Sequence, residues 1–238
     1  MQDLLKIIRE RQSARVIFDP ERPIAREDLR QILEAARWAP TAHNMQNFEI
    51  IVVDDRRILE SLSNIRHDIE EAFILENYQQ LSFSEEELRK KKVGILGTMF
   101  PPSWRTPGVK PDLLDERRHS FLGGPVQKSA ALLVVLYDPS RRAPASEGDF
   151  LGIISLGCVM ENMWLMAQSL GIGFQILSAL SADSVEKEIR RILFIPGHLK
   201  IAFASRLGYP LSEPQYLRVR RDLEDFIHHN RFGNKDLD

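Results

Sequence analysis

Hydrophobic positions recur along the chain at helical spacing in some stretches and as continuous runs in others, and each pattern predicts a kind of element. Leu4, Ile7 and Ile8 form an apolar stripe that predicts a short helix over residues 3–12, with Asp3 placed to cap it. Leu29, Ile32, Leu33 and Ala36 share one face of a second helix over residues 26–39, which Pro40 ends. The runs FEIIVV (Phe48–Val53) and ALLVVLY (Ala131–Tyr137) are β-forming without alternation, as in strands covered on both faces, and both are expected mid-sheet. A third strand is expected over residues 201–207. Residues 149–170 are apolar on almost every side, with Gly171 placed to stop a helix. The length approaches that needed to cross a bilayer, but Glu161, Asn162 and Gln168, together with the lack of a basic flank, favour a buried central helix. Residues 56–128 carry charged, helix-like segments broken by FPPSW and FLGGP, and no fold is predicted there. Helices that precede, separate and follow at least three strands make an α+β arrangement. Without a repeat, a low-complexity tract or a flexible linker, one domain over residues 1–238 is expected.

Composition narrows the partners. A chain of 238 residues, 43% hydrophobic, suffices for one large core or two small ones. With 32 basic and 34 acidic residues spread along it, no global field gathers nucleic acid or an anionic membrane, and neither partner is expected. The start, MQDLLKIIRERQS, is charged within three residues and has no long apolar run, so a secretory signal is not expected and the reading is cytoplasmic. The one cysteine, Cys158, cannot form an internal disulfide, and its apolar setting predicts an inert buried thiol. G-x-S-x-G, Walker, H-E-x-x-H and C-x-x-C motifs are all missing, and GIG at residues 171–173 lacks the third glycine of a dinucleotide fingerprint. The histidines show no spacing suited to a shared metal, and no metal is expected.

Anion-seeking side chains stand out instead. Seven residues after Leu4, Arg11 continues the apolar stripe, which directs its guanidinium inward, and Ser13 and Arg15 follow on alternate positions. If the backbone is extended after the helix, the three converge on one anion such as a phosphate; the other reading pairs Arg11 and Arg15 with surface acids such as Glu10 and Asp19. Arg218 and Arg220 share a face of an extended segment and make either a second phosphate clamp or a solvated charge run. In APTAHNMQN, residues 39–47, the amides of Asn44 and Gln46 carry the donor and acceptor pair that suits a heterocyclic edge, while Pro40, Thr41 and Ala42 allow close backbone approach; an ordinary helix-ending loop is the alternative.

Arg11-Gln12-Ser13-Ala14-Arg15 resembles the R-x-S-x-R that opens the FMN-dependent nitroreductase family, and EAARWAPTAHNMQNFEIIVVDD resembles its A-x-x-A-P-S-x-x-N-x-Q-P-W segment. ENMWLMAQSLGIGF is similar to the family's central helix with its G-L-G ending, and LGYP followed by RVRRDLEDFIHHNRFG to its closing strand and basic tail. The resemblance implies FMN as cofactor and NAD(P)H as electron donor. It assigns Arg11, Gln12, Ser13 and Arg15 to FMN, with Arg11 near the phosphate and ribityl chain and Arg15 near the N1/O2 edge, where a cation stabilises the anionic reduced ring. Leu177, Ser178 and Ala179 are assigned to the ring, Arg218 and Arg220 to the phosphate, and Thr41, Ala42, His43, Asn44 and Gln46 to the flavin of the other subunit. The family architecture is a mainly antiparallel sheet flanked by helices in an interlocked homodimer with FMN at its interface.

The family's Pro and Trp after Gln are Asn47 and Phe48 here, and Asn77 is a candidate reader of the pyrimidine edge. Residues 56–125 correspond to a variable lid, in which Phe100, Trp104 and Phe121 either stack on an aromatic substrate or pack inward. The implied activity is two-step reduction of nitroaromatic or quinone-like acceptors by NAD(P)H, with no catalytic side chain required. Reductive dehalogenation, flavin cleavage and non-catalytic flavin binding are the alternatives on the same scaffold.

Overall fold

In the computed structural model, which describes residues 4–66, 84–92, 123–144, 146, 148–177, 183–213 and 218–235, the non-alternating apolar runs lie in a sheet covered on both faces. Four strands, β1 (Phe48–Val53), β2 (Ala131–Tyr137), β3 (Gly173–Ile176) and β4 (Lys200–Gly208), pair antiparallel in the order β1-β2-β4-β3. Successive β2 residues divide between two cores. Leu132, Val134 and Leu136 meet Leu59 and Leu62 of α3 (Arg56–Ser63) and Val185 and Ile189 of α7 (Asp183–Ile192). Leu133 and Val135 meet Ile32 and Ala36 of α2 (Arg26–Arg37) and Val159, Met163 and Ala167 of α6 (Phe150–Ser169). Strands covered this way lose the period-2 signal because neither face is solvated. A bulge at Ala202 shifts the register between Val135 and Leu136.

These elements, with α1 (Leu4–Glu10) and α5 (Gly123–Gln127), belong to one of two compact units, formed by Met1–Ile69 and Asp115–Pro214. The second unit comprises Glu70–Leu114 and Gln215–Asp238. In it, α4 (Glu85–Lys91) starts with a capping box between Ser84 and Glu87, which holds the Glu87 carboxyl below its ordinary range through hydrogen bonds to the Ser84 backbone and side chain. Lys92 follows in the left-handed region, and its ammonium joins Asp222 Oδ2 at 2.8 Å and Asp225 at the start of α8 (Leu223–Phe226). Hydrogen bonds to Asp222 and Asp225 raise the Lys92 pKa, and the bond to Lys92 lowers that of Asp225.

Three expectations change. Among the described residues β1 is an edge strand, not a mid-sheet one: Ile51 and Val53 pack on one face and Ile50 and Val52 on the other, so an apolar run reports covered faces and says nothing about hydrogen-bonding neighbours. β3, only four residues with a glycine and a glutamine, was not anticipated. Cys158 is half-buried rather than buried, because it lies on the stripe of α6 that also holds the exposed Phe150, Ile153, Ile154 and Gly157. α6 is long and apolar enough to cross a membrane, yet Ser155, Leu156, Val159, Met163, Trp164 and Ala167 are buried against the rest of its unit.

Candidate functional site

The arm that follows α1 is pinned at alternate residues. The Arg11 N–H still donates to Ile7 at 2.8 Å, after which the chain leaves the helix. Ala14 is buried and donates its N–H to the Phe174 carbonyl of β3 at 2.9 Å, while Ser13 and Arg15 on either side of it are half-buried. The Arg15 N–H closes a tight turn on the Ser13 carbonyl at 2.8 Å. Further on, Phe18 is fully buried, and the arm runs beside the chain after β4 through Asp19 N–H to Tyr209 O and Leu211 N–H to Ile17 O.

Arg11 turns inward, although the apolar stripe from which this was expected is itself exposed at Leu4 and Ile8. Its guanidinium carbon sits 4.4 Å from the Trp164 ring centroid, and its Nε lies 3.2 Å from Glu161 Oε1 of α6. Neither Glu10 nor Asp19 is its carboxylate: Glu10 faces Lys6, and Asp19 accepts from the Glu21 N–H. Trp164 stacks on Phe174 at 5.4 Å and donates its Nε1–H to the Gln12 carbonyl at 3.1 Å. The arm thus combines two guanidinium groups and a hydroxyl with a clamped backbone, a donor set that fits a phosphate ester.

The loop after α2 is held by the same α6. The Ala42 N–H donates to Ser155 Oγ at 3.0 Å, and that hydroxyl donates to the Leu151 carbonyl at 2.7 Å. His43, Asn44 and Gln46 have φ of 49°, 52° and 46°. The left-handed region is costly for residues with a Cβ, and such geometry concentrates where structure serves binding. The Thr41 hydroxyl accepts from the Gln46 N–H at 3.2 Å, and the Gln46 amide donates to Asn44 Oδ1 at 3.1 Å, so both amides lie exposed side by side. Along α6, the supports of the arm, Glu161 and Trp164, lie roughly 9–14 Å beyond Ser155.

Leu177 is buried in the core with Val134 and Ala204, and its N–H donates to the Ala204 carbonyl at 2.9 Å. Ser178 and Ala179 lie outside the described residues, as do Asn77, Phe100, Trp104 and Phe121. Of the expected lid, α3, α4 and the first residues of α5 are described, and α3 is a core helix with Leu59 fully buried. Arg218 and Arg220 belong to the second unit, both exposed, and Arg220 donates to the Val219 carbonyl at 2.7 Å.

The family model that matches residues 8–209 is that of the nitroreductase family. The chain belongs to the nitroreductase family. It is 27% identical over 233 residues, 98% of this chain and 100% of the other, to a protein of Archaeoglobus fulgidus that carries the provisional name NADH dehydrogenase/NAD(P)H nitroreductase. An NADPH-dependent oxidoreductase of Staphylococcus aureus is 22% identical, covering 89% of this chain and 67% of that one. Among solved structures, a nitroreductase with bound FMN from Bacteroides fragilis superposes with a TM-score of 0.57 at 18% identity, covering 97% and 100% of the two chains. Oxidized iodotyrosine deiodinase bound to FMN and 3-iodo-L-tyrosine reaches 0.59 at 18% identity, also covering 97% and 100%. At these identities the likeness of the structures is one of fold, and it agrees with the α+β arrangement and the antiparallel sheet.

Several residues that build this part of the nitroreductase fold carry no motif. Glu161 and Trp164 read as features of an apolar helix, and Ser155 as one small residue among many. Arg206 is different: a cation within the strand IAFASRLG, where every neighbour is apolar or small, is a visible signal of a buried polar role.

Proposed function

We propose that the chain is an FMN-dependent NAD(P)H oxidoreductase that reduces nitroaromatic or quinone-like acceptors in two half-reactions, acting as a homodimer in the cytoplasm. Membership of the nitroreductase family supports the class of reaction, and FMN-bound members among the similar structures support the cofactor. The observation that carries the reading is the arm: Arg11, Ser13 and Arg15 present cationic forks and a hydroxyl around a backbone fixed at Ala14. Held by these residues, FMN would supply the hydride-transfer chemistry that links NAD(P)H to the acceptor.

The chain's own groups bind and tune. Arg11, steadied by Glu161 and the Trp164 ring, holds the phosphate end with Gln12 and Ser13; Arg218 and Arg220 keep the phosphate role that the resemblance gives them. Arg15 favours negative charge on the N1/O2 edge. Leu177, Ser178 and Ala179 line the ring, and no side chain acts as a nucleophile. Thr41, Ala42, His43, Asn44 and Gln46 serve the flavin of the other subunit. Support for that subunit contact comes from the apolar surface that α6 and α1 leave uncovered: Phe150, Ile153 and Ile154 on one, Leu4, Leu5 and Ile8 on the other.

The absorption spectrum of the purified protein tests the cofactor, with FMN near one per chain expected. Arg15→Ala should then weaken FMN or slow its reduction by NAD(P)H. Unchanged flavin content and unchanged rates would remove the role of Arg15, and a colourless protein that takes up no added FMN would remove the whole reading. An anaerobic panel of nitroaromatics, quinones and halogenated phenols separates acceptor reduction from the dehalogenation suggested by the fold shared with iodotyrosine deiodinase.

A further inference from the structure

We propose that Arg206 is a positioning residue for flavin binding, a cationic strut that sets Ser13 and Arg15; this rests on the FMN reading above. Arg206 lies on β4 and is 3% exposed. Its Nη2 donates to the Ala14 carbonyl at 3.2 Å and the Val16 carbonyl at 2.7 Å, the two carbonyls that flank Arg15. Its Nε donates to Gln175 Oε1 at 2.6 Å, from the residue paired with it across β3, and its Nη1 to the Pro125 carbonyl of α5 at 3.4 Å. The guanidinium carbon lies 4.1 Å from the Phe18 ring centroid.

A buried guanidinium is tolerated when its donors are met, and these donors are met by the arm and by the elements beneath it. Two consequences follow for the arm. Its carbonyls at positions 14 and 16 are both committed to Nη2 of one rigid planar guanidinium, which fixes the 14–15 and 16–17 peptide planes that bracket Arg15 and Val16. With the Ala14 N–H committed to Phe174, residue 14 turns inward and leaves Ser13 and Arg15 as the side chains directed away from the core. Arg206 touches no cofactor itself. It acts by holding the residues that do, and a lysine, whose donors sit on one nitrogen, cannot serve the two carbonyls and also keep the Nε bond to Gln175 and the Nη1 bond to Pro125.

The test compares Arg206→Lys, Arg206→Met, Arg15→Met and the Arg15→Met/Arg206→Met double variant in the full-length protein. Three quantities are read: the Kd for oxidised FMN, the two-electron potential of the bound flavin, and amide hydrogen exchange over residues 13–17 of the apoprotein. Arg206→Met is expected to weaken oxidised FMN about tenfold and reduced FMN about a hundredfold, a potential lowered by about 30 mV. Arg206→Lys should fall between it and the wild type, exchange should rise over residues 13–17, and in the Arg15→Met background the potential should move no further. A potential shift of equal size in that background overturns the proposal, because the effect would then not pass through Arg15. So does a lowered Tm with Kd, potential and local exchange unchanged. If Arg206→Met does not fold, Arg206→Lys carries the same comparisons. Wild-type protein that takes up no FMN defeats the functional reading and this one together, whereas FMN-loaded wild type matched by its Arg206 variants defeats this one alone.

Discussion

Two glycines flank the ring of Phe18, and alanine at each should fail for a different reason. A Cβ at Gly173 would stand 2.7 Å from Phe18 Cε1 and 3.0 Å from both Phe18 Cζ and Ala14 Cβ. A Cβ at Gly208 would stand 2.7 Å from Phe18 Cβ and Cδ2 and 2.8 Å from Cγ. Carbon atoms do not approach this closely, and the interior has no slack in which a fully buried ring can retreat. Overpacking of this kind costs about 1–3 kcal/mol. Alanine recovers roughly 0.5–1 kcal/mol of the entropy that glycine loses in a strand, leaving a net loss of about 1–2 kcal/mol for Gly173→Ala. At this chain length that corresponds to about 2–8 °C in Tm. Phe18→Leu removes Cε1 and Cζ but keeps Cβ, Cγ and both Cδ atoms. It should therefore rescue Gly173→Ala and leave Gly208→Ala unrescued. The assay is urea and thermal unfolding of the FMN-free protein at one fixed protein concentration, so that neither ligand nor association shifts the midpoint. A favourable coupling of about 1 kcal/mol between Phe18→Leu and Gly173→Ala, with none for Gly208→Ala, is the expected result. Strict additivity in both cycles, or a Gly173→Ala protein within 0.5 kcal/mol of wild type, would refute the packing argument.

Phe194 occupies the left-handed region at φ 53° with its side chain 90% exposed, so it incurs the cost of a Cβ there and gains little burial. Phe194→Gly should stabilise the protein by about 0.5–1 kcal/mol after glycine's extra unfolded entropy is counted, and a lowered urea midpoint would contradict this. Asp138 accepts hydrogen bonds from the Ser140 hydroxyl at 2.6 Å and from the Ser140 N–H at 2.9 Å. These two bonds, then the charges of His198 and Arg141, hold its carboxyl below the ordinary value of 3.8 against the opposing effect of burial. A group depressed in the folded state adds stability above its unfolded pKa and loses it as pH falls through the folded one. Asp138→Asn should thus be less stable than wild type at neutral pH, with the gap closing below about pH 4 in a series of thermal melts; a gap that stays constant from pH 7 to 3 would show that the charge plays no part.

The helices were legible because their apolar positions recur regularly: the described ends of α1, α2 and α6 lie within two residues of the expected bounds, and Asp3, expected to cap α1, lies outside the described residues. The place of β1 at the sheet edge was not, since Phe48–Val53 is covered above and below and its composition records only that. At the candidate site, the inward turn of Arg11 was expected from counting seven residues along the stripe, but that stripe is exposed at Leu4 and Ile8, so the turn comes from the chain leaving the helix toward Trp164 and not from the stripe. Its partner did not, because Glu161 is 150 positions away in a helix whose other residues are nearly all apolar. Arg206 was missed, although a cation inside an apolar strand is a signal of a buried polar role, and nothing local tells which carbonyls it serves. Ala14 and Val16 are reached only once the arm is laid across β3 and β4.

That separation bears on how the protein is made. Arg206 follows the carbonyls it holds by 190 and 192 residues, and Phe174, Tyr209 and the two glycines beside Phe18 also come late in the chain. At a synthesis rate of about 5–20 residues per second, the arm waits roughly 10–40 s on the ribosome for its strut. Contacts this distant in sequence also have the largest loop-closure entropy to overcome. The arm residues proposed to grip the flavin are therefore translated well before the strut that orders them, so a nascent chain has no preformed arm with which to capture FMN before β4 has been made.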